Sequence, residues 1–298
     1  MLAQVVEAEL AAALGTRDAL NAVAITSAGG PLSWRARAES LWRGRLAELR
    51  DEAVRQAESG AFRRELAQLL EAGEIRTVFQ PIVHVYRGDV IGYEALSRGP
   101  VGHPWERPEV LLDIAERSGM SSLVQWEMVK RARARAVDEL DYPRHLLFLN
   151  APDSRFWPEG RHNTGDDGGQ LWPWDHIVSE VSERRPILNR KEVWAAHDRG
   201  RQRGARYALD DVGAGYAGLA ALAMLGPDYV KIDMGIVRDC HEDPAKQAVI
   251  EAIVQYSKRS GALAIAEGIE TPDEEAALRE LSVSLMQGFL MGKPMEHI

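Results

Sequence analysis

Seven short apolar runs in this chain each end in a residue able to bind a metal, a proton or a phosphate. Val90-Ile91-Gly92-Tyr93 runs into Glu94, Leu146-Leu147-Phe148-Leu149 into Asn150, and Ile177-Val178-Ser179 into Glu180. Tyr207-Ala208-Leu209 runs into Asp210 and Asp211, and Tyr229-Val230 into Lys231. Leu263-Ala264-Ile265-Ala266 runs into Glu267, and Leu285-Met286 into Gln287. A fully buried strand reads as a continuous apolar run. One polar residue after such a run says little. Seven in succession predict strands that deliver their C-terminal ends to one site.

The spaces between these runs are helical in pattern, near 108–118, 121–139, 190–203, 216–225, 244–260 and 272–281. Strands alternating with helices pair in parallel through crossover connections. Ahead of them, Thr77 to Val83 is β-rich and Arg87-Gly88-Asp89 makes a turn into the Val90 run, so the first two strands form a hairpin. The segment from 76 to 298 suits a (β/α)₈ barrel, whose active sites lie at the C-terminal strand ends. A doubly wound sheet competes with it, but would gather its ligands at one crevice. Pro152 to Pro173 breaks the rhythm: Gly160, Gly165, Gly168 and Gly169, with Trp157, Trp172 and nearby Trp174, read as a long loop where a helix was due. Its tryptophans suit packing over the barrel edge or, alternatively, a lid.

Residues 1–70 differ from the rest. They are rich in Ala, Glu, Arg and Leu, and from Trp34 to Leu70 the apolar residues recur at helical spacing. The division is therefore a helical N-terminal segment, 1–70, and a barrel domain, 71–298. That segment suits either packing on the barrel or a signalling helix. No stretch nears the roughly 18 apolar residues that span a bilayer. The acidic N-terminus does not read as a secretory signal. A single cysteine, Cys240, leaves no internal disulfide and suits a reducing cytoplasm. Cys240-His241-Glu242-Asp243 reads as a polar loop before a helix that starts at Pro244, rather than as a metal site. A net charge of −9 argues against a nucleic-acid polymer as partner.

Glu94, Asn150, Glu180, Asp210, Asp211 and Glu267 offer hard oxygen donors, which suit Mg²⁺ or Mn²⁺. Five carboxylates at one barrel end repel unless cations intervene, and the adjacent pair Asp210-Asp211 can face two ions. Two divalent ions roughly 3.5–4 Å apart are the usual device for in-line phosphoester cleavage. Lys231 adds a positive donor near the attacking water or the phosphate. Arg98 offers a fork of donors to a phosphate oxygen. Gln80 and Gln287 suit a ribose or base edge. Taken singly, each of these reads as a cap or a solvated loop residue, and Lys231 with Asp233 as an exposed ion pair. The bland reading weakens because it must be invoked anew at every strand.

Glu94-Ala95-Leu96-Ser97-Arg98 resembles the signature of EAL domains, the cyclic di-GMP phosphodiesterases. Gln80-Pro81-Ile82-Val83 before it resembles the family's first strand, and Phe148-Leu149-Asn150, Glu180-Val181-Ser182-Glu183 and Asp210-Asp211-Val212-Gly213-Ala214-Gly215 follow in the family's order. Asp228 to Asp233, Ala266 to Thr271, and Gln287-Gly288-Phe289 complete it, over about residues 73–298. The resemblance implies a TIM-type barrel with an antiparallel first strand, and hydrolysis of cyclic di-GMP to linear pGpG by a water activated by two ions of Mg²⁺ or Mn²⁺. It implies that Glu94, Asn150, Glu180 and Asp210 hold one ion, and Asp210, Asp211 and Glu267 the other. Lys231, Glu94 and Glu267 are then the catalytic group, and Gln80, Leu96, Arg98, Asp233 and Gln287 the substrate contacts. Glu183 braces the loop after Asp211, and a homodimer is expected. That loop departs from the family's usual DDFGTG: Val212 replaces an aromatic and Ala214 a threonine. The departure favours an alternative, a catalytically weak domain that acts as a cyclic di-GMP receptor or protein-interaction module.

Overall fold

The computed structural model describes residues 59–150, 171–182, 198, 200–202, 204–214 and 218–298. The chain divides into two compact units, Met1–Phe62 and Arg63–Ile298, and the fold that follows is the second. Most of the apolar stripe expected between Trp34 and Leu70 lies outside the described residues, as do Glu183 and Trp157. Leu66 and Leu69, near its end, are helical and buried.

Arg76–His84 (β1) and Asp89–Arg98 (β2) form the expected hairpin, antiparallel, with Gln80 opposite Glu94. Gly88 turns the chain at φ 70°, a conformation that a side chain resists. Leu146–Asn150 (β3), Ile177–Ser182 (β4), Arg206–Val212 (β5), Tyr229–Ile232 (β6), Leu263–Ala266 (β7) and Leu285–Met286 (β8) follow. All pair in parallel from β2 onward, and β8 closes the barrel by pairing antiparallel with β1. The fold is thus a (β/α)₈ barrel whose first strand runs against both neighbours.

The described crossovers include Pro108–Arg117 (α1), Ser121–Glu139 (α2), Gly218–Leu225 (α3), Met234–Val237 (α4), Pro244–Ser260 (α5) and Pro272–Glu280 (α6). Their starts have local causes. Pro244 opens α5 behind Asp243, whose carboxylate accepts from the N–H groups of Ala245 and Lys246. Thr271 and Glu274 form a capping box at α6. The loop before α5 is therefore a turn and a cap. Cys240 is buried in the core.

Side chains on a strand alternate between faces, so residues two apart share one. Outward residues of β1 to β4, such as Phe79, Tyr93, Leu147 and Leu149, pack on Val129, Ala132 and Ala136 of α2. Leu209, Val230 and Ile232 pack on Ile250, Ile253 and Val254 of α5 and on Leu278 of α6. Trp172 is buried in the α2 cluster, and the guanidinium of Arg133 lies 3.9 Å from the Trp174 ring centre. Both tryptophans pack over the barrel edge. Inside the barrel, Ile82, Phe148, Val178, Ala208, Tyr229, Ile265 and Leu285 make a buried apolar floor, one from each strand but β2, whose half-buried Ile91 packs against it. Among the described residues no helix is long and apolar enough to cross a membrane.

Candidate active site

The floor explains the site. Two residues past Phe148, Val178, Ala208, Tyr229, Ile265 and Leu285 come Asn150, Glu180, Asp210, Lys231, Glu267 and Gln287. β1 runs the other way, so its partner in this layer lies two residues before Ile82, at Gln80. Glu94 faces Gln80 across the hairpin. The alternation of the strands alone thus stacks a polar layer on an apolar one at the C-terminal mouth.

Lys231 sits at the centre, 1% exposed. Its Nζ lies 2.7 Å from Glu180 Oε1, 2.7 Å from Glu267 Oε1, 3.1 Å from Asp210 Oδ1 and 3.4 Å from Glu94 Oε2. It is no exposed partner of Asp233. Burial pulls its ammonium down, but Asp210, Glu180, Glu267 and Glu94 outweigh that and hold it well above the usual lysine value. One ammonium cannot neutralise four carboxylates. Burial, with Glu94 and Asp210 nearby, pushes Glu180 well above the carboxylate range. Burial, with Asp210 and Glu94, pushes Glu267 up to about 8 against the pull of Lys231.

Glu94 is held differently. Asn150 Nδ2 donates to its Oε1 at 3.1 Å and Gln287 Nε2 to its Oε2 at 2.7 Å. Asp211 takes a backbone conformation rare outside glycine, at φ 61°. Its Oδ2 accepts from Ser182 Oγ at 3.1 Å. Ser182 escaped the sequence reading because a serine two residues past Glu180 resembles any solvated strand end. Gly268, directly after Glu267, has φ 71°, and a Cβ there would stand 2.6 Å from the Cβ of Met234 in α4. That close approach seats the Glu267 loop against the short helix that follows Lys231.

A cavity of about 330 Å³ opens beside the acids. Leu96, Arg98, Asn150, Glu180, Asp210 and Asp211 line it, so two of the expected substrate contacts face the same space as the acids. Burial pulls the Arg98 guanidinium below its usual value. Gln80, Gln287 and Asp233 are not among the lining residues, and neither are Glu94, Lys231 and Glu267. Asp233 caps α4, its Oδ1 accepting from the Gly235 N–H at 2.8 Å. Val212 is 3% exposed in the outer core, so the valine is itself an anchor for the start of that loop.

These residues fit a divalent cation. Every donor is a hard oxygen. Oxygens of Asp210, Asp211 and Glu267 lie within 4.8 Å of one another. Oε2 of Glu180 is buried and, among the described residues, receives no hydrogen bond.

Fold and site together define a (β/α)₈ barrel with an acid-rich mouth able to hold divalent cations. The chain belongs to the EAL domain family, whose profile matches residues 63–294. It is similar to the cyclic di-GMP phosphodiesterase PdeR of Escherichia coli K12, at 30% identity over 243 residues, 77% of this chain and 35% of that protein. It is also similar to Klebsiella pneumoniae BlrP1 in a calcium and cyclic di-GMP complex, at 29% identity and TM-score 0.67. The manganese and cyclic di-GMP complex of BlrP1 gives 29% and 0.64, and each match covers 76% of this chain and 57% of that one. The chain spans about a third of the length of curated relatives such as PdeR.

Proposed function

We propose that this chain hydrolyses one phosphodiester of cyclic di-GMP, giving linear pGpG, with two ions of Mg²⁺ or Mn²⁺. The observation that carries this is the ring of strand-end acids around one buried ammonium, beside a cavity bearing Arg98. The relatives' names, and the BlrP1 complexes with cation and cyclic dinucleotide, support the substrate.

Glu94, Asn150, Glu180 and Asp210 would hold one ion, and Asp210, Asp211 and Glu267 the other. Bound there, divalent ions lower the pKa of the attacking water and stabilise charge on phosphoryl oxygens. Lys231 cannot swing away, because its Nζ is held by carboxylates on four strands or strand ends. Its three N–H donors are taken up by these acids, so it would orient the water and counter charge growing on the phosphate once cations draw some of those carboxylates away from it. Arg98 grips a phosphate oxygen, and Leu96 gives the ligand an apolar wall. The water oxygen attacks phosphorus, the bond to the leaving ribose oxygen breaks, and that oxygen takes up a proton.

The test is purified protein with cyclic di-GMP and Mg²⁺ or Mn²⁺, with chelator as control and pGpG separated by chromatography. Product forms with metal only, and Glu94→Ala or Lys231→Ala slows it greatly. Metal-independent binding of cyclic di-GMP without turnover would sink the enzyme reading in favour of a receptor. Homodimerisation belongs to the same proposal, and sedimentation of the purified chain tests it.

A further inference from the structure

Gln80 and Gln287 suit a ribose or base edge when read from the sequence, yet their amides face inward. Gln287 is 4% exposed. Its Nε2 lies 2.7 Å from Glu94 Oε2 and 3.2 Å from Gln80 Oε1. A side-chain amide has two N–H donors, and these two acceptors occupy both. The orientation is dictated by Glu94: turning the amide over would set its carbonyl oxygen against a carboxylate. Gln80 is 9% exposed, and its Nε2 donates to the Gly292 carbonyl at 3.2 Å. Nearby, Phe79 and Met295 exchange two backbone hydrogen bonds of 2.8 and 3.0 Å, which pin the segment after β8 along β1.

We infer that Gln287 and Gln80 are positioning residues: a relay from the Gly292 carbonyl through both amides fixes the carboxylate of Glu94 for its cation. The inference rests on the proposed cation site at Glu94 but not on the identity of the substrate. A charge-assisted hydrogen bond such as Gln287 to Glu94 is stronger than a neutral one. It selects one carboxylate rotation, while Asn150 holds the other oxygen. Partners that orient a metal ligand in this way are each worth about 10-fold to 100-fold in metal affinity.

Mn²⁺ binding, followed by electron paramagnetic resonance without any nucleotide, tests the relay. Gln287→Ala weakens Mn²⁺ binding by about 10-fold or more. Gln80→Ala, one link further away, weakens it less. The double variant is no worse than Gln287→Ala, because the links act in series. With saturating Mn²⁺, kcat falls while KM for cyclic di-GMP holds. Unchanged Mn²⁺ affinity with a raised KM would overturn the inference and make both amides substrate contacts. Should Gln287→Ala not fold, Gln80→Ala alone decides: unchanged Mn²⁺ affinity overturns the relay. Wild-type protein that binds no Mn²⁺ overturns the relay together with the cation site. Wild-type protein that binds Mn²⁺ without turning over cyclic di-GMP sinks only the proposed reaction, and the binding series still reads the relay.

Discussion

Glu94 and Glu180 both reach the ammonium of Lys231, but the protein treats them differently. Glu94 also accepts from Asn150 and Gln287, so both its oxygens have amide donors. Glu180 has the ammonium at 2.7 Å on one oxygen and no donor on the other among the described residues. Burial and the charge of Glu94 push it well above the carboxylate range. An acid whose lone pairs are filled is already oriented. A buried acid with an empty lone pair holds its proton more tightly, and a cation displaces that proton. The mouth therefore pairs a preset ligand with a poised one.

Removing the partner they share breaks both sides and gives the largest effect. Lys231→Ala lowers the rate at saturating metal by about 100-fold or more. With chelator present it also destabilises the fold by about 3 kcal/mol, since buried carboxylates lose their cation. Initial rates and urea unfolding check the two halves. A variant that keeps its rate would remove Lys231 from the chemistry.

The contrast is sharpened by neutralising each acid in turn. Glu94→Gln sets an amide N–H₂ against a donor in either orientation, Asn150 on one side or Gln287 and Lys231 on the other, and costs about 2 kcal/mol in metal-free protein. Glu180→Gln removes an acid whose ionisation the fold opposes, and raises metal-free stability at pH 8 by about 1 kcal/mol. Both variants lose Mn²⁺ affinity. Metal-free unfolding curves at pH 8 read the opposite signs, and a shift of both in one direction would end the distinction.

Glu267 belongs with Glu180, and pH exposes it. Its carboxyl is raised to about 8 in the fold, above the ordinary 4.5. Below pH 4.5 the folded and unfolded groups are both protonated, and the shift has no effect on stability. Between pH 4.5 and about 8 the unfolded group ionises while the folded one keeps its proton. Metal-free stability therefore falls as pH rises, by up to about 1.4 kcal/mol per pH unit from this group, and levels above about 8. Cation binding displaces the same proton, so Mn²⁺ affinity rises up to about pH 8. Glu267→Gln flattens this part of both profiles. Urea unfolding from pH 5 to 9, with calorimetry in buffers of different ionisation heat, measures them.

What the sequence could and could not show follows from the range of each signal. Val178 and Glu180, or Ile265 and Glu267, are two apart on one strand, so alternation alone places the acid above the floor. The capping box of Thr271 and Glu274 is equally local. Gln287 and Gln80 are distant in sequence, and only barrel closure by β1 and β8 brings their amides together. Read one residue at a time, both amides therefore suit the ligand. The burial of Lys231 was hidden for the same reason: the carboxylates that enclose it come from four other parts of the chain.

The smallest expected effect lies between the two treatments. Asp211 holds φ 61°, a conformation that costs a non-glycine residue of order 1 kcal/mol. Ser182 Oγ donates to its Oδ2 at 3.1 Å and helps to fix the carboxylate that the strained backbone presents. Asp211 is thus oriented like Glu94, by a neutral donor, but with one such bond instead of two and at a partly exposed position. Ser182→Ala removes one such bond, worth about 1 kcal/mol, which corresponds to about 5-fold in Mn²⁺ affinity. Ser182→Thr keeps the hydroxyl and restores it. If Ser182→Ala lowers affinity as much as Gln287→Ala does, burial of the donor pair is not what sets Glu94 apart, and the preset ligand is simply one with a donor.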